Sequence, residues 1–572
     1  MAEDRRPRAI FMAFGTRGDV FPIAAIAAAF ACDQQQYHVV LITHLAHQSL
    51  SEHLAAKNVA YIPVSSPPVL SVHQFGSEQI PFSMHKKRIQ VEHRQQCLSV
   101  VERVLGDSPS TKDDFIVINF FALEGWHLAE MFQIRCVIAS PYVVPYSAPS
   151  SFERRFKQEL PCLYKYFQES SPNMVNWKDV VHWMWPIFTE DWGRWRSEYL
   201  KLSPVPFMDP VTNLPAWHMH VDSPILLYGF SKEIVEYPGY WPPNIHVCGF
   251  WFLPLEWQFS CNKCRDIMSA SPNGSMTGMS ELCTIHADIQ QFLMKSSHPQ
   301  LPLFIGLSSI GRREGSASLF PNSHFSIKNC GVTLLLQMHH AIAKIFFFIY
   351  AIHFANNPPL SVSLLITEGF CLFHSMGFLK NPHAFLRVLK AVLDVTEHRF
   401  ILFSSGYEPL EAAIQSIACE SSNRANPPPS NVHGTFLFSD RLYCFSGSIP
   451  YSWLFSKCAV AIHHGGSGST AAALHAGIPQ ILCPFILDQF YWAERLHWIG
   501  VAPEPLRSWH LFPDNDDATS ISQAADCLAR AIKLSLSPEI KAQASKVADR
   551  ISSEDGSQEA LKVLKEKVVC PC

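Results

Sequence analysis

The residues best suited to chemistry lie between His464 and Thr470, where an apolar run at 459–462 gives way to histidine, glycine, serine and threonine. An Ala-rich stretch at 471–476 follows and predicts a helix. A strand that ends in small residues before a helix directs backbone N–H groups and the positive helix end at one point. We therefore predict a site here for a diphosphate, as found in a nucleotide sugar.

Strands and helices of the kind that could position such a loop are first indicated near the start of the chain. An apolar run at 9–14, a turn containing Gly15 and Gly18, and an Ala-rich helix after Pro22 precede a second apolar run at 38–43. Proline is tolerated in the first turn of a helix, so this order reads as strand, helix, strand. Two more predicted strands, with a helix between them around 125–130, continue the series at 115–118 and 136–139.

A second series of the same kind begins at 302–307. Its amphipathic helix at 381–394 has apolar residues at 3.6-residue spacing. Strands that alternate with helices predict a parallel sheet covered by helices on both faces. The fold class is therefore α/β, with two Rossmann-like, doubly wound domains.

The domain boundaries follow from changes in composition along the chain. We predict an N-terminal domain at 1–245, a polar linker rich in Pro, Gly and Ser at 246–300, a second domain at 301–510 and C-terminal helices at 511–572. The second domain is interrupted at about 311–374, because joining Gly311 to Ser375 would give a βα loop of ordinary length. We interpret this stretch as an atypical insertion.

Two apolar segments have more than one interpretation. The run at 333–354 is nearly long enough to span a bilayer, but His339, His340 and Lys344 lie near its middle, which favours a loosely packed helix over a membrane span. The segment 141–220 is rich in tryptophan and proline. It either packs over a core, the interpretation we favour, or lines an apolar acceptor cleft.

Composition excludes some functions. The 572 residues are 48% hydrophobic and 16% charged, with a formal net charge of −4 and no basic stripe, which argues against a nucleic-acid partner. The charged start runs directly into a strand at 9–14 and leaves no room for a signal peptide, so we expect a cytoplasmic protein. Without a Gly-x-Gly-x-x-Gly after the first strand or a Walker loop, a nicotinamide dehydrogenase or P-loop NTPase is not indicated.

The 17 cysteines are scattered, which favours free thiols in a reducing compartment. Cys261-x-x-Cys264 and Cys283-x-x-His286 have the spacing of zinc ligands, but the residues between them at 271–280 have the composition of a flexible loop. The acidic stretch 514–516 precedes a helical pattern at 520–534 and is interpreted as a helix cap. We expect no metal and no cofactor.

The stretch from His463 to Gln480, the run from Pro484 to Leu496 and the N-terminal Gly15-Thr-Arg-Gly-Asp-Val resemble the family 1 glycosyltransferases of GT-B fold, and most closely their sterol 3-β-glucosyltransferase branch. The resemblance covers both halves apart from the insertion, and the C-terminal signature is the long and specific part. It implies that the first domain binds the acceptor, the second binds a UDP-sugar, and the two face each other across a cleft.

The resemblance also implies which residues bind the donor. A preorganised set of donors at a helix N-terminus would stabilise the departing UDP without a metal. Asp488 and Gln489 match the pair that holds sugar hydroxyls, and glucose is the default sugar, although Leu487 stands where many relatives have Gly. Ser309 matches a phosphate-binding turn and Ile449 lies in the stretch that frames the uracil. The predicted diphosphate contacts are His464, Gly465, Gly466, Gly468, Ser469 and Thr470.

For the chemical step, Asp19 is the first candidate. It lies at a predicted helix start, where it could be an N-cap, the general base that takes a proton from the acceptor hydroxyl, or both. His127 and Glu124 are the second candidates for the base. The predicted reaction is inverting transfer of glucose from UDP-glucose to the 3β-hydroxyl of a sterol or a similar lipid or terpenoid.

A sterol acceptor implies peripheral contact with membranes, although the chain has no polybasic patch to anchor it. The alternative function is that of a catalytically impaired, lipid-binding or regulatory protein whose donor site is disrupted by the insertion.

Overall fold

The structure is a computed structural model, in which the following residues are described: 6–68, 82–106, 110, 112–144, 148–216, 222–259, 261–269, 282–294, 300–306, 379–404, 407–421, 434–447, 449–485 and 488–570. The predicted insertion at 311–374 and its apolar run at 333–354 lie outside these residues. Within them, no helix is both long and apolar enough to cross a bilayer.

Two sheets organise the chain, as predicted. The first is wholly parallel and has the order β3-β2-β1-β4-β5-β6-β7. Its strands are β1 (Arg8–Met12), β2 (His38–His44), β3 (Val59–Val64), β4 (Phe115–Ile118), β5 (Arg135–Ser140), β6 (Ile225–Tyr228) and β7 (Ile245–Val247).

The second sheet has the order β10-β11-β9-β8-β12-β13 and is parallel except for the edge strand β10. Its strands are β8 (Leu303–Gly306), β9 (Phe400–Phe403), β10 (Gly434–Leu437), β11 (Leu442–Phe445), β12 (Val460–His463) and β13 (Gln480–Leu482). The predicted α/β class with two sheets is confirmed.

Helices connect the strands of both sheets. The α-helices are α1 (Arg17–Asp33), α2 (Ser51–Ala55), α3 (Phe82–Leu105), α4 (Glu124–Phe132), α5 (Phe152–Glu159), α6 (Pro161–Glu169), α7 (Trp177–Asp179), α8 (Trp185–Thr189), α9 (Leu255–Gln258), α10 (Asn262–Ser269), α11 (Ala287–Met294), α12 (Pro382–Asp394), α13 (Glu408–Ser421), α14 (Tyr451–Phe455), α15 (Ser467–His475), α16 (Gln489–Trp498), α17 (Ala518–Ser535), α18 (Pro538–Ile551) and α19 (Gly556–Leu564). Short 3₁₀ or π turns occur at Leu45–Leu50, Val180–Met184, Trp195–Tyr199, Thr284–His286, Ser508–His510 and Lys565–Val569.

Two local predictions need correction. Helix α1 begins at Arg17, because Thr16 and Asp19 form a capping box, so Pro22 lies inside the helix and not in its first turn. The cap of α17 is Asp517, whose side chain accepts from the N–H of Ser520. The predicted capping stretch 514–516 instead contributes ion pairs, with Asp516 at 2.9 Å from Arg387.

The contacts between residues divide the chain into two compact units, whose bounds differ from the predicted domain boundaries. The predicted boundaries stay a prediction. The described residues of one compact unit lie within 1–144, 224–306 and 379–570 and contain both sheets, while those of the other lie within 148–223. In this smaller unit Trp183, Trp185, Trp192 and Trp195 are buried. The packing interpretation of the tryptophan-rich segment therefore accounts for these four side chains.

The last helix of the chain belongs to the core of the first sheet. Ala560, Leu561 and Leu564 of α19 are buried in one cluster with residues of α1 and β1. The start of α19 touches the loop after β7, where Gly249 has a φ of +97° and a Cβ on Gly556 would lie 2.4 Å from the carbonyl oxygen of Phe250. Only a residue without a side chain allows this approach.

Gly556→Ala therefore tests how firmly the last helix is held. We expect the substitution to lower the free energy of unfolding by about 1–3 kcal/mol, because the new methyl group meets backbone that must shift. The measurement is the midpoint of thermal or denaturant unfolding. Gly239→Ala is the matched control, since nothing lies within 4 Å of its added carbon; equal midpoints for the two variants would contradict the prediction.

Candidate functional site

In both sheets the candidate residues follow the strands at which the strand order reverses. In the first sheet β2, the next strand along the chain, pairs with one side of β1, and β4 pairs with the other side. Strands β8 and β12 have the same relation in the second sheet. Because loops at such a switch point diverge to opposite faces, they leave a crevice at the carboxyl ends of the strands, where ligands of doubly wound folds bind. Asp19 follows β1 and His464 follows β12.

Asp19 is fixed by the residue that begins its helix. The backbone N–H of Thr16 donates to Asp19 Oδ2 at 2.6 Å, and the Thr16 hydroxyl donates to the same oxygen at 2.8 Å. Asp19 is therefore the third residue of the first turn, and the predicted N-cap is Thr16 instead. Burial raises the pKa of Asp19 to about 6, against the opposing effect of the Thr16 bonds.

Two buried side chains that the sequence did not point to brace the loop after β1. Asn119, at the end of β4, accepts from the N–H of Phe14 at 3.2 Å and donates to the Phe14 carbonyl at 2.7 Å. His47 Nε2 lies 3.0 Å from the Gly15 carbonyl and must donate to it, because a carbonyl only accepts. Burial lowers the pKa of His47 to about 4, so this histidine is neutral.

The glycine loop after β12 is braced in the same way by His463. Its Nδ1 accepts from the N–H of Gly465 at 3.1 Å, and its Nε2 donates to Gln480 Oε1 at 2.8 Å. This pair of bonds fixes one neutral tautomer, and burial lowers the pKa of His463 to about 4. Gly465 has a φ of +87°, and a Cβ there would lie 3.1 Å from the carbonyl oxygen of Gln489. The loop can therefore take this path only with glycine at 465.

His464 follows directly and lies beside β8. Its pKa falls to about 3 because it is buried and close to His463, while a hydrogen bond with the backbone of Gly306 opposes the fall. The imidazole is therefore neutral at physiological pH and can offer a hydrogen bond but no charge. Positive character in this loop comes from the N-terminus of α15, which Gly466 caps.

The first turn of α15 reaches the first turn of α1. A Cβ on Gly468, which is exposed, would lie 4.0 Å from the Cα of Gly18. Ser469 and Thr470 are buried, and Thr470 Oγ1 has no hydrogen-bond partner among the described residues. Two helix N-termini, one from each sheet, therefore converge on one place.

Asp488 and Gln489 lie at the start of α16 and differ in how they are held. The indole N–H of Trp492 donates to Asp488 Oδ2 at 3.0 Å, and the Gln489 amide oxygen accepts from the N–H of Phe485 at 3.0 Å. Burial, together with the nearby charge of Asp19, raises the pKa of Asp488 to about 7. Asp19 and Asp488 therefore lie near enough for their charges to interact in poorly solvated surroundings, and their catalytic and sugar-binding roles stay a prediction.

Tyr142 borders the same space and was not found from the sequence. Burial is the main reason that the pKa of its hydroxyl lies well above the usual range, and the charges of Asp19 and Asp488 raise it further. Its ring packs against Phe121, with centroids 5.7 Å apart. Tyr142 lies just beyond β5, so a third strand end contributes to the site.

The other predicted residues lie in helix α4, in a core of the second sheet or outside the described residues. His127 is fully buried in α4, and Glu124 is paired with Arg94 at 3.6 Å and with His93 at 3.9 Å. The side chain of Ile449 is 4% exposed and packs in a core of the second sheet, so its predicted role in framing the uracil stays a prediction. Ser309 and Leu487 lie outside the described residues.

Comparison with known proteins identifies relatives for parts of the chain. Residues 444–566 match the family model described as erythromycin biosynthesis protein CIII-like, C-terminal domain. A sterol 3-beta-glucosyltransferase of Arabidopsis thaliana is 34% identical over 178 residues, which are 31% of this chain and 23% of that protein. A sterol 3-beta-glucosyltransferase of Komagataella phaffii is 36% identical over 124 residues, covering 22% of this chain and 9% of the relative.

A longer alignment has lower identity. The UDP-sugar-dependent glycosyltransferase 52 of Dictyostelium discoideum is 21% identical over 565 residues, which are 97% of this chain and 26% of that protein. Among solved structures, a UDP-glucosyltransferase of Polygonum tinctorium covers 98% of this chain and 100% of its own, with 13% identity and a TM-score of 0.49.

The chain spans about a quarter or less of the length of these three curated relatives. Residues 444–566 are similar to the C-terminal domain of erythromycin biosynthesis protein CIII-like proteins, and parts of the chain are similar to sterol 3-beta-glucosyltransferases, which confirms the resemblance seen in its motifs.

Proposed function

We propose that the protein transfers glucose from UDP-glucose to the 3β-hydroxyl of a sterol or a similar lipid alcohol, with inversion at the anomeric carbon. The observation that carries the proposal is the approach of the first turn of α15 to the first turn of α1, which carries Asp19, with Asp488 near enough for the charge of Asp19 to raise its pKa. This arrangement puts a candidate base, a candidate sugar ligand and an anion site into one poorly solvated space. The names of the relatives support the glucosyl donor and the sterol acceptor.

The donor diphosphate would lie at the glycine loop. The backbone N–H groups of Ser467 and Gly468 belong to the first turn of α15 and have no partner within that helix. As the bond to the sugar breaks, negative charge grows on UDP, and N–H groups already directed at it stabilise that charge. His464 would add a neutral hydrogen bond, while His463 keeps the loop in place as a positioning residue.

Asp19 would take the proton of the acceptor hydroxyl. Both bonds from Thr16 end on Oδ2, so the carboxylate is held in one orientation and Oδ1 is the oxygen that can receive the proton. A base whose pKa is about 6 is largely deprotonated at neutral pH and is a stronger base than an ordinary carboxylate. The acceptor oxygen would then attack the anomeric carbon from the face opposite to UDP. Asp488, held by Trp492, would bind sugar hydroxyls.

The chain would act in the cytoplasm, in peripheral contact with the membranes that contain its acceptor. This part of the proposal rests on the chemistry of sterols, which partition into bilayers. A screen of radiolabelled UDP-glucose against a lipid extract would identify the acceptor, and labelled product that contains no sterol would limit the proposal to another lipid alcohol.

Asp19→Asn tests the assigned base. The amide keeps the size of the side chain and still accepts from Thr16, but it cannot take a proton. We expect turnover to fall by roughly 10² to 10⁴ while UDP binding, measured by calorimetry, stays within about twofold.

The pH profile distinguishes loss of a base from loss of structure. In the unaltered protein kcat/KM should rise with pH through about 6, because Asp19 must be deprotonated to act, whereas this rise should be absent from the residual activity of the variant. Asp33→Asn, at the exposed end of the same helix, is the control that should leave both rate and profile unchanged. Full turnover by Asp19→Asn would remove this residue from the mechanism.

His463→Leu tests whether the glycine loop depends on its buried brace. The substitution leaves the Gly465 N–H and the Gln480 amide oxygen without their partner, at a cost of about 1–3 kcal/mol. If the loop relaxes, UDP affinity should fall roughly tenfold to a hundredfold in calorimetry. His463→Asn should retain more affinity, since its amide oxygen can replace Nδ1 as the acceptor.

His475→Leu provides the matched control at the other end of α15, where the ring packs on Phe252 with centroids 4.7 Å apart. Its UDP affinity should match that of the unaltered protein. If His463→Leu binds UDP as tightly as this control, the loop does not need the histidine.

The alternative, a regulatory protein with an impaired donor site, makes a different prediction. If the insertion leaves the donor site intact, UDP should bind equally well to the full chain and to a chain from which 311–374 are deleted. This is the outcome we expect. Calorimetry of both chains, with circular dichroism to show that the deleted chain is folded, measures this. UDP binding by the deleted chain alone would favour the regulatory function.

A further inference from the structure

Four potential metal ligands come together beside the second sheet. Cys261, Cys264, Cys283 and His286 each offer one atom, and all four atoms lie within 4.8 Å of one another. Cys264 Sγ is 3.4 Å from Cys283 Sγ and 3.3 Å from His286 Nδ1. Cys283 Sγ is 3.6 Å from Cys261 Sγ and 3.4 Å from His286 Nδ1.

These separations fit a tetrahedral ion better than they fit a disulfide. Two Zn–S bonds of about 2.3 Å at the tetrahedral angle put their sulfurs about 3.8 Å apart, and a sulfur and a nitrogen ligand lie about 3.5 Å apart. A disulfide would require about 2.05 Å between sulfurs. These four distances are within a few tenths of an ångström of the tetrahedral values, and the two sulfur–sulfur distances are more than 1 Å longer than a disulfide bond.

The ligand set selects the metal. Three thiolates and one imidazole form a soft, four-membered set that is typical of structural zinc, with no position left open for a reactant. Cys264, Cys283 and His286 are buried and Cys261 is half-buried. Free thiols of a large core rarely gather around a histidine nitrogen in this way unless an ion holds them, because their mutual contacts are weak hydrogen bonds.

We propose that Cys261, Cys264, Cys283 and His286 bind one structural Zn²⁺. The proposal replaces the expectation of no metal, which gave more weight to the loop-like composition of 271–280 than to the ligand spacing. The two ligand pairs lie at the start of α10 and around the 3₁₀ turn Thr284–His286, so the ion would join two segments that are 22 residues apart.

The site would support the second sheet from one side. Cys264 and Cys283 belong to a buried cluster with Phe304 of β8 and Ile449, and the ring of His286 lies against Phe445 of β11 at 5.9 Å. Helix α11 continues directly from the 3₁₀ turn and leads toward β8, whose last residue, Gly306, touches His464. Zinc would therefore stabilise the fold next to the donor loop without touching a reactant.

The test is the metal content and stability of the full chain. After expression in zinc-supplemented medium and gel filtration, plasma mass spectrometry should find one zinc per chain, and a strong chelator should lower the midpoint of thermal unfolding. Loading the chelated protein with Co²⁺ should produce the visible absorption of a tetrahedral, thiolate-ligated ion. None of these measurements involves UDP or turnover, so their failure would leave the proposed glucosyl transfer untouched.

Single substitutions test which residues bind the zinc. Cys283→Ser and His286→Asn should lose the zinc, whereas Cys458→Ser, a buried cysteine of the same cluster, should keep it. If Cys283→Ser does not fold, Cys261→Ser, whose side chain is half-buried, gives the same test. A folded unaltered chain without zinc, equal zinc in Cys261→Ser and Cys458→Ser, or a disulfide between two of these cysteines found by peptide mass spectrometry would overturn the proposal.

Discussion

The site depends on hydrogen bonds that hold two backbone loops, one after β1 of the first sheet and one after β12 of the second. Such loops carry backbone polar groups that the sheet no longer pairs, and burying them unpaired would be costly. Asn119 satisfies both the N–H and the carbonyl of Phe14, and His463 satisfies the N–H of Gly465. Because these braces are themselves buried, the loops keep the positions from which Asp19 and the start of α15 can act.

The repeated strand order explains why both stretches lie at a crevice of their own sheet. In each sheet the first strand of the series lies next to the strand that follows the reversal, so β1 adjoins β4 and β8 adjoins β12. Each reversal opens a crevice at the carboxyl edge of its sheet. The approach of Gly468 to Gly18 shows that the two crevices meet. Tyr142, just beyond the end of β5, lies near enough for the charges of Asp19 and Asp488 to raise the pKa of its hydroxyl.

The sequence predicted what depends on local pattern and missed what depends on tertiary contact. Apolar runs located β4 at Phe115–Ile118 and β2 to within a residue, since buried parallel strands are continuous apolar segments. Asn119, His47 and Tyr142 had no such signal, because a single polar residue after a strand is common and its partner lies far away in the chain. The cysteine cluster was visible as a spacing, but only folded geometry shows that the four ligands converge.

Two half-buried carboxylates whose charges interact have a thermodynamic consequence. A carboxyl whose pKa is higher in the folded than in the unfolded chain binds more protons when folded, so the free energy of unfolding falls as pH rises through that interval. For Asp19 and Asp488 the interval runs from about 4, the ordinary value, to about 6 and about 7. At neutral pH their charges therefore work against folding, although the bonds from Thr16 and Trp492 offset part of the effect. Carboxyls with raised pKa values that interact with each other mark a candidate functional site, and the raised pKa would strengthen Asp19 as the proposed base.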